Sequence, residues 1–254
     1  TCAENGTLLF LEDFGGNEPG DPMTSPTGIG AKSEYVYQAD ITSSANFGNN
    51  KYTITKEIPD AWRNPAWVAI DDHTHWGDKT RGYCFLVNGD TKKKVYELEL
   101  DGLCSGSQLY FSLWAANICK AGSNLVLPDL EFVITDLSNA TVASYRTGNT
   151  ILEKASLTWE QHGIDLTVPA GATKLIFKIY SYGNGGSGND YVIDDIAVHL
   201  CTNKVNATIN GDNKTSIFIN DSNKKLSLSG SYINDAKFGT TLTSYWLYST
   251  TGDI

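Results

Sequence analysis

Two pairs of adjacent carboxylates stand in apolar, strand-like segments near the two ends of the first 201 residues. Glu12 and Asp13 close the first segment, and Asp194 and Asp195 interrupt the second. A carboxylate buried in a strand without a partner is costly, so side-by-side segments would need a cation between their acids. Oxygen ligands of this kind suit calcium better than a transition metal. The alternative is that these acids lie in solvent at strand ends or accept loop N–H groups.

A second group with metal-binding residue types is the segment Asp71-Asp72-His73-Thr74-His75-Trp76. In an extended segment His73 and His75 share a face and could bind a transition metal. A catalytic metal normally needs three protein ligands and an acid or base, and no HExxH-like element accompanies these residues. The segment therefore does not predict a catalytic metal.

Tryptophans in and before this segment are the best candidates for contact with a sugar. Exposed aromatic rings stack on sugar faces, whereas most large aromatic side chains are buried. Trp67 and Trp114 are expected in the core. The predicted glycan contacts are Trp62, Trp76, His73 and His75.

No other motif predicts catalysis. Gly183–Gly188 matches G-x-G-x-x-G, but an apolar strand pattern follows it where a dinucleotide site needs a helix. There is no G-x-S-x-G element, and no carboxylate pair stands out as a glycosidase pair. We therefore predict that the chain is not an enzyme.

Composition favours a secreted β protein. The chain has 254 residues, 41% hydrophobic and 19% charged, with a net charge of −10. This balance argues against binding to nucleic acid or to an anionic membrane surface, since both need clustered Lys and Arg. No stretch approaches the roughly 20 apolar residues of a spanning helix. An acidic surface rich in Asp, Asn and Gly suits an extracellular, calcium-containing medium.

The five cysteines lack the spacing of a zinc site. Cys104 and Cys119 flank one strand pattern and are predicted to close a short loop. Cys2 and Cys201 bracket the larger region and are predicted to join its ends. Cys84 lies in an apolar run and is expected to be a small buried hydrophobe. The alternative is that all five are reduced thiols.

Strand patterns separated by Gly and Asn clusters follow one another without helical periodicity. The clearest are 95–100, 109–114, 130–135, 141–145, 174–182 and 191–200. They predict an all-β, antiparallel jelly-roll β-sandwich over residues 1–201. After Cys201 the chain is rich in Asn, Lys, Ser and Thr, with strand patterns at 216–220, 225–231 and 244–249. Residues 202–254 are therefore predicted to be a small or truncated immunoglobulin-like β domain.

The order of several short motifs resembles a known family. These motifs are Phe10-Leu11-Glu12-Asp13-Phe14, Asp72-His73-Thr74, Leu103-Cys104-Ser105 and Ile193-Asp194-Asp195-Ile196 running on to Cys201. Together, over residues 7–201, they resemble a jelly-roll domain of large secreted surface proteins of gliding and gut bacteria. They also look like MAM-type domains of extracellular receptors and proteases. In the bacterial proteins an immunoglobulin-like module often follows. Cys84 and Cys119 depart from the MAM cysteine pattern.

The resemblance implies a galactose-binding-like jelly roll, often with calcium, that serves adhesion or glycan binding. In related jelly rolls a carboxylate from each terminal strand coordinates the ion, so Glu12 and Asp194 are the first predicted pair. Because strand neighbours point to opposite faces, Asp194 is expected to share its side with Val192 and Ile196. The resemblance also assigns Asp72 to a turn or to the calcium site. The full predicted metal set is Glu12, Asp13, Asp72, Asp194 and Asp195.

The sequence thus predicts a secreted or cell-surface, non-catalytic module for adhesion or carbohydrate binding, stabilised by structural calcium. Its expected partners are a glycan or a host or cell-surface protein, and further domains of a larger surface protein. Two alternatives stay open. The module could target a secreted glycan-degrading enzyme, or it could be a structural spacer.

Overall fold

The computed structural model describes residues 6–30, 32–39, 41–42, 47–59 and 66–201, and the backbone of 205–209 and 228–232. The chain divides into two compact units, Thr1–Cys201 and Thr202–Ile254. The part of the chain that the structure describes contains no helix long and apolar enough to cross a membrane.

The described residues of the first unit form eleven strands and one short helix. In chain order they are β1 (Thr7–Glu12), α1 (Pro26–Gly30), β2 (Val36–Tyr37), β3 (Lys51–Thr55), β4 (Cys84–Asn88), β5 (Lys93–Leu100), β6 (Gln108–Asn117), β7 (Leu130–Thr135), β8 (Thr141–Arg146), β9 (Glu160–Thr167), β10 (Leu175–Ser181) and β11 (Asp190–Leu200). The strand patterns that the sequence showed in this unit all fall in strands. The all-β fold class is confirmed.

Two sheets form the sandwich. One has seven strands in the order β2-β3-β4-β11-β6-β9, with β1 also paired to β11. The other has four strands in the order β5-β10-β7-β8. All described pairs are antiparallel except β2 with β3.

Strand alternation gives the seven-stranded sheet two different faces. Its inner face packs against the four-stranded sheet through residues such as Phe111, Ile193 and Phe177, which belong to one buried apolar cluster. Its outer face carries a second buried cluster that includes Trp67, Leu86 and Val192. Half of this outer face is therefore covered by the chain segment around Trp67, and the half toward β1 and β9 carries exposed side chains.

A bulge in β11 reverses the alternation expected from the sequence. Asp194 pairs with Trp114 and Ala197 pairs with Ser112, so three steps on β11 match two on β6. Asp195, inside the bulge, has a φ of 45°. As a result Val192 lies in the outer cluster and Ile196 in the inner one. The prediction that Ile196 shares the side of Asp194 was wrong, because it assumed an unbroken strand.

The predicted disulfide between Cys104 and Cys119 was also wrong, because both are free thiols. Cys104 precedes β6 and Cys119 follows it, and the ten residues of this strand separate its ends by roughly 30 Å. A disulfide needs Cα atoms within about 7 Å. Cys84 is buried, as expected. Cys201 is disulfide-bonded, but Cys2 lies outside the described residues, so their pairing stays a prediction.

The described part of the second unit is an antiparallel pair, β12 (Val205–Ile209) and β13 (Leu228–Tyr232). The predicted strand at 225–231 overlaps β13. Those at 216–220 and 244–249 lie outside the described residues, and the immunoglobulin-like assignment stays a prediction.

Candidate functional site

The segment Asp71–Trp76 folds over the outer face of the seven-stranded sheet at the β11 bulge. The backbone N–H of His73 donates to Asp194 Oδ2 at 2.9 Å. His73 Nδ1 lies 2.6 Å from Asp195 Oδ2, and the Thr74 hydroxyl donates to the same carboxylate. The two acids predicted to bind metal therefore hold this loop on the sheet.

Asp72 forms hydrogen bonds within the loop. Its Oδ2 accepts the backbone N–H of His75 at 2.5 Å and lies 3.0 Å from His75 Nδ1. The same carboxylate fills the space above Gly82, where an added Cβ would lie 2.2 Å from Asp72 Cγ. Asp72 thus makes a turn, and the calcium role that the resemblance also implied for it stays a prediction.

Burial and like charges act on Asp194. This residue is fully buried, and its pKa is raised well above the usual value, mainly by burial and then by the charges of Asp195 and Asp72. Hydrogen bonds from the backbone N–H groups of His73 and Asp195 lower the pKa of Asp194 and so oppose these two effects. Burial and the charge of Asp194 also raise the pKa of the neighbouring Cys84 thiol.

Glu12 and Asp13 lie elsewhere. Glu12 is opposite Ile196 in the β1–β11 register and accepts the Tyr96 hydroxyl at 3.3 Å, so it faces the space between the sheets. Asp194 faces the outer side, and the sheet therefore separates the first predicted calcium pair. Asp13 accepts the backbone N–H of Gly15 and the amide of Asn17.

The predicted five-carboxylate set does not fit one calcium ion. Asp72, Asp194 and Asp195 lie together, but their oxygens accept N–H and O–H groups and Glu12 is on the other face. Among the described residues, no group of three or more His, Cys, Asp or Glu side chains is arranged to hold a metal ion. The binding of calcium at another arrangement of these residues stays a prediction.

Aromatic rings gather beside the loop. The His73 ring stacks on Trp114 with centroids 4.0 Å apart and meets the edge of Trp159 at 5.8 Å. Trp114 is half-buried on the outer face, whereas Trp67 is buried, so the expectation of a core position is confirmed for Trp67 only. Trp76 is 58% exposed. Trp62 lies outside the described residues.

One further ring belongs to this surface and was missed in the sequence. Tyr110 lies on the same face of β6 as Trp114, opposite Asp165 of β9. Its ring covers Gly163, where an added Cβ would meet Tyr110 Oη at 2.6 Å. The alternation of Leu109-Tyr110-Phe111-Ser112-Leu113-Trp114 carried the signal, because its apolar members face inward and the others outward. We call His73, Tyr110, Trp114 and Trp159 the aromatic platform.

Comparison with known proteins leaves the family open. No protein-family model and no curated protein matches the chain. Among solved structures it is similar to the enzymatically active domain of tailspike protein 4 of bacteriophage CBA120, at 14% identity and a TM-score of 0.37, over 59% of this chain and 18% of that one.

Two carbohydrate-binding modules are similar to a comparable degree. A CBM4 structure has 14% identity and a TM-score of 0.34, over 63% of this chain and 92% of that one. TmCBM61 in complex with β-1,4-galactotriose has 14% identity and a TM-score of 0.35, over 59% and 81%. TM-scores this low establish neither a shared fold nor a shared ligand.

Proposed function

We propose that the first unit is a non-catalytic carbohydrate-binding module of a secreted or cell-surface protein, and that it serves adhesion to glycans. The aromatic platform on the exposed half of the outer face is the observation that carries the proposal. Aromatic rings combine a broad apolar face with low conformational freedom, so they bind flat apolar surfaces well. The C–H faces of sugar rings are such surfaces.

The platform is held rigidly, which supports a binding role. Trp114 and Tyr110 stand on β6, which is paired on both sides, to β11 and β9. His73 is fixed by the contacts of its backbone and ring with Asp194 and Asp195. Rings held in advance lose little conformational entropy when a ligand binds.

Polar groups that could bond to sugar hydroxyls surround the rings. Gln161 is exposed beside Trp114, and Asp165 is exposed beside Tyr110. A few polar groups around an apolar surface orient a small ligand and give it specificity. The proposed site thus replaces the sequence assignment, in which Trp62, Trp76 and His75 were also contacts. His75 contacts Asp72 instead.

A glycan-array screen of the full chain tests this proposal, followed by titration calorimetry with the best glycan. We expect Trp114→Ala to weaken binding about tenfold to a hundredfold, since truncating a central aromatic contact commonly costs about 2 kcal/mol or more. Tyr180→Ala is the matched control. Tyr180 is a half-buried tyrosine of β10, on the other sheet.

Two results would contradict the proposal. One is no binding to any glycan by a chain whose melting curve shows that it is folded, which would favour the structural spacer. The other is equal loss of binding in Trp114→Ala and Tyr180→Ala. Sequencing the gene around this segment separates an adhesin from a targeting module, by showing whether a hydrolase domain is attached.

A further inference from the structure

Four Asn-Gly pairs occur in the sequence, and the structure describes both residues of two of them, Asn88-Gly89 and Asn184-Gly185. An asparagine followed by glycine readily loses its side-chain ammonia, because glycine has no side chain to hinder the approach of its own backbone nitrogen. The fold places these two pairs in opposite surroundings. One pair is bonded at the end of a buried strand, and the other lies in an exposed loop.

The pair Asn88-Gly89 is bound on both of the groups that would react. Asn88 ends β4 and is only 7% exposed. Its side-chain amide donates to the Phe47 carbonyl oxygen at 2.9 Å. The backbone N–H of Gly89 donates to the Asn189 carbonyl oxygen at 3.0 Å. This corner must therefore open locally before the asparagine and the glycine nitrogen can meet.

The pair Asn184-Gly185 has no such bonds. It lies in the loop that matches G-x-G-x-x-G and that is followed by β11, where a dinucleotide site needs a helix. Asn184 is exposed. Neither its side-chain amide nor the backbone N–H of Gly185 forms a hydrogen bond with any residue that the structure describes.

The loop is held at its ends, on either side of this pair. An added Cβ at Gly183 would meet the Asn189 side chain, so the loop starts in close contact with the chain that leaves it. Near the other end, the Val126 backbone N–H donates to the Ser187 carbonyl oxygen at 3.1 Å. A reaction between Asn184 and Gly185 breaks neither contact.

We propose that Asn184 is a site of spontaneous deamidation in the folded protein, whereas Asn88 is not. The backbone nitrogen of Gly185 bonds to Cγ of Asn184, and the side-chain nitrogen takes up the hydrogen of that N–H and leaves as ammonia. Water then adds to either carbonyl of the cyclic imide and breaks one of its two C–N bonds. The product carries aspartate or isoaspartate at this position, and water is the only co-reactant.

The product differs from the starting protein in charge and in backbone length. A new carboxyl group, with an ordinary pKa of about 3.9, is ionised at neutral pH. It stands beside Gly185, where an added Cβ would lie 2.6 Å from Asp90 Oδ1. Isoaspartate also inserts one carbon into the backbone of a loop that is held at both ends. Both changes push the loop away from Asp90, so the product is less stable.

The test incubates the folded protein in a mildly alkaline buffer and follows its trypsin peptides by mass spectrometry. We expect the peptide with Asn184 to gain about 1 Da, with fragment spectra placing the gain at that residue. This should occur at least about tenfold faster than the same gain at Asn88, which needs local opening. Asn184→Gln is the control variant, because glutamine would have to form a larger ring, and residue 184 should then keep its mass.

A parallel incubation in guanidinium chloride separates the fold from the local sequence. Unfolding removes the hydrogen bonds of Asn88 and Gly89, so the two pairs should then react at similar rates. Equal rates in the folded protein, or no gain of mass at Asn184, would overturn the proposal. A rate difference that persists in guanidinium chloride would overturn the role assigned to the fold.

The effect on the loop is measured on the separated product. Anion exchange resolves the more acidic, deamidated protein from the starting protein, and we expect it to melt at a lower temperature. Equal melting temperatures would overturn the displacement of the loop from Asp90.

Discussion

The outer faces of the two sheets are built on the same alternation and carry different chemistry. The outward positions of the four-stranded sheet include Glu97, Glu99, Glu131, Arg146, Lys178 and Tyr180. The exposed half of the other outer face carries aromatic and small residues, with Asp165 as the one carboxylate at its strand positions. Charged pairs keep the first face solvated, and the second is left with apolar area that a ligand can cover.

Aromatic rings are treated differently on the two sheets. Tyr182, just after β10, has Lys92 Nζ and Arg146 Cζ each 4.1 Å from its ring centroid. On the other outer face, Trp114 stacks on the half-exposed ring of His73. The cations that cover Tyr182 compete with any ligand for its ring, whereas the platform rings have Gln161 and the carboxylates of Asp165 and Asp195 as polar neighbours. An outward aromatic residue is therefore a binding candidate only when its neighbours leave part of its ring accessible.

The largest expected difference between the two sheets is in the pH dependence of stability, and it concerns two buried carboxyl groups. Asp129, just before β7 of the four-stranded sheet, is paired with Arg146 at 2.6 Å. Asp190, on the covered half of the other outer face, has the indole N–H of Trp67 at 3.0 Å and the Cys119 thiol at 3.6 Å. Burial raises the pKa of Asp190 to about 7, against the hydrogen bonds from Trp67 and Cys119.

Asp190 should therefore make stability depend on pH. Its unfolded pKa is about 3.9, so between about pH 4 and pH 7 the folded state binds more protons than the unfolded state. The free energy of unfolding should fall as pH rises through this window, by up to about 4 kcal/mol, and then level off. Urea unfolding at several pH values measures this. Asp190→Asn should flatten the curve, and an unchanged slope in the variant would assign the effect to other groups.

The next largest effect is on stability, and it compares Asp194, which holds the loop on one outer face, with an outward residue of the other sheet. Asp194→Ala should lower the free energy of unfolding by about 1–3 kcal/mol, because it leaves the backbone N–H groups of His73 and Asp195 without their acceptor. Ser144→Ala, an outward position of β8 on the charged face, should cost within about 0.5 kcal/mol. Thermal melts of both variants measure the difference. Equal costs would contradict the view that the loop over Trp114 depends on Asp194.

The smallest expected effect concerns Gly163, the residue that the Tyr110 ring covers. Gly163→Ala should displace Tyr110 and strain the β6–β9 pair, since an added Cβ would lie 2.6 Å from Tyr110 Oη and from the Phe111 carbonyl oxygen. We expect oligosaccharide binding about tenfold weaker, or about 1.4 kcal/mol. Gly28→Ala is the control, because no atom lies within 4 Å of a Cβ there. If a folded Gly163→Ala variant binds like the wild type, Tyr110 is not a contact.

Calcium has its own test, independent of the two faces. If an ion binds the native state, EDTA should lower the melting temperature and added Ca²⁺ should restore it, because a ligand of the folded state stabilises by mass action. A melting curve unchanged by EDTA would remove calcium from the description of this domain.

The strands were readable from the sequence because each carries its own period. Tyr96-Glu97-Leu98-Glu99-Leu100 alternates between the two sides of β5, and Leu175–Tyr180 does the same on β10. The predicted orientation of side chains was wrong at the bulge in β11, where one extra residue changes the alternation. The extra residue at the bulge of β11 moved Ile196 to the inner face and separated Glu12 from Asp194.

Residue types and their order indicated an acidic chain, its all-β strand pattern and the places of the paired carboxylates within that pattern. What those acids bind and which rings lie beside them depend on contacts between distant segments of the fold. The reason is physical. Alternation is a property of neighbours in one strand, whereas the stacking of His73 on Trp114 and the cover of Gly163 by Tyr110 depend on the register between strands distant in sequence.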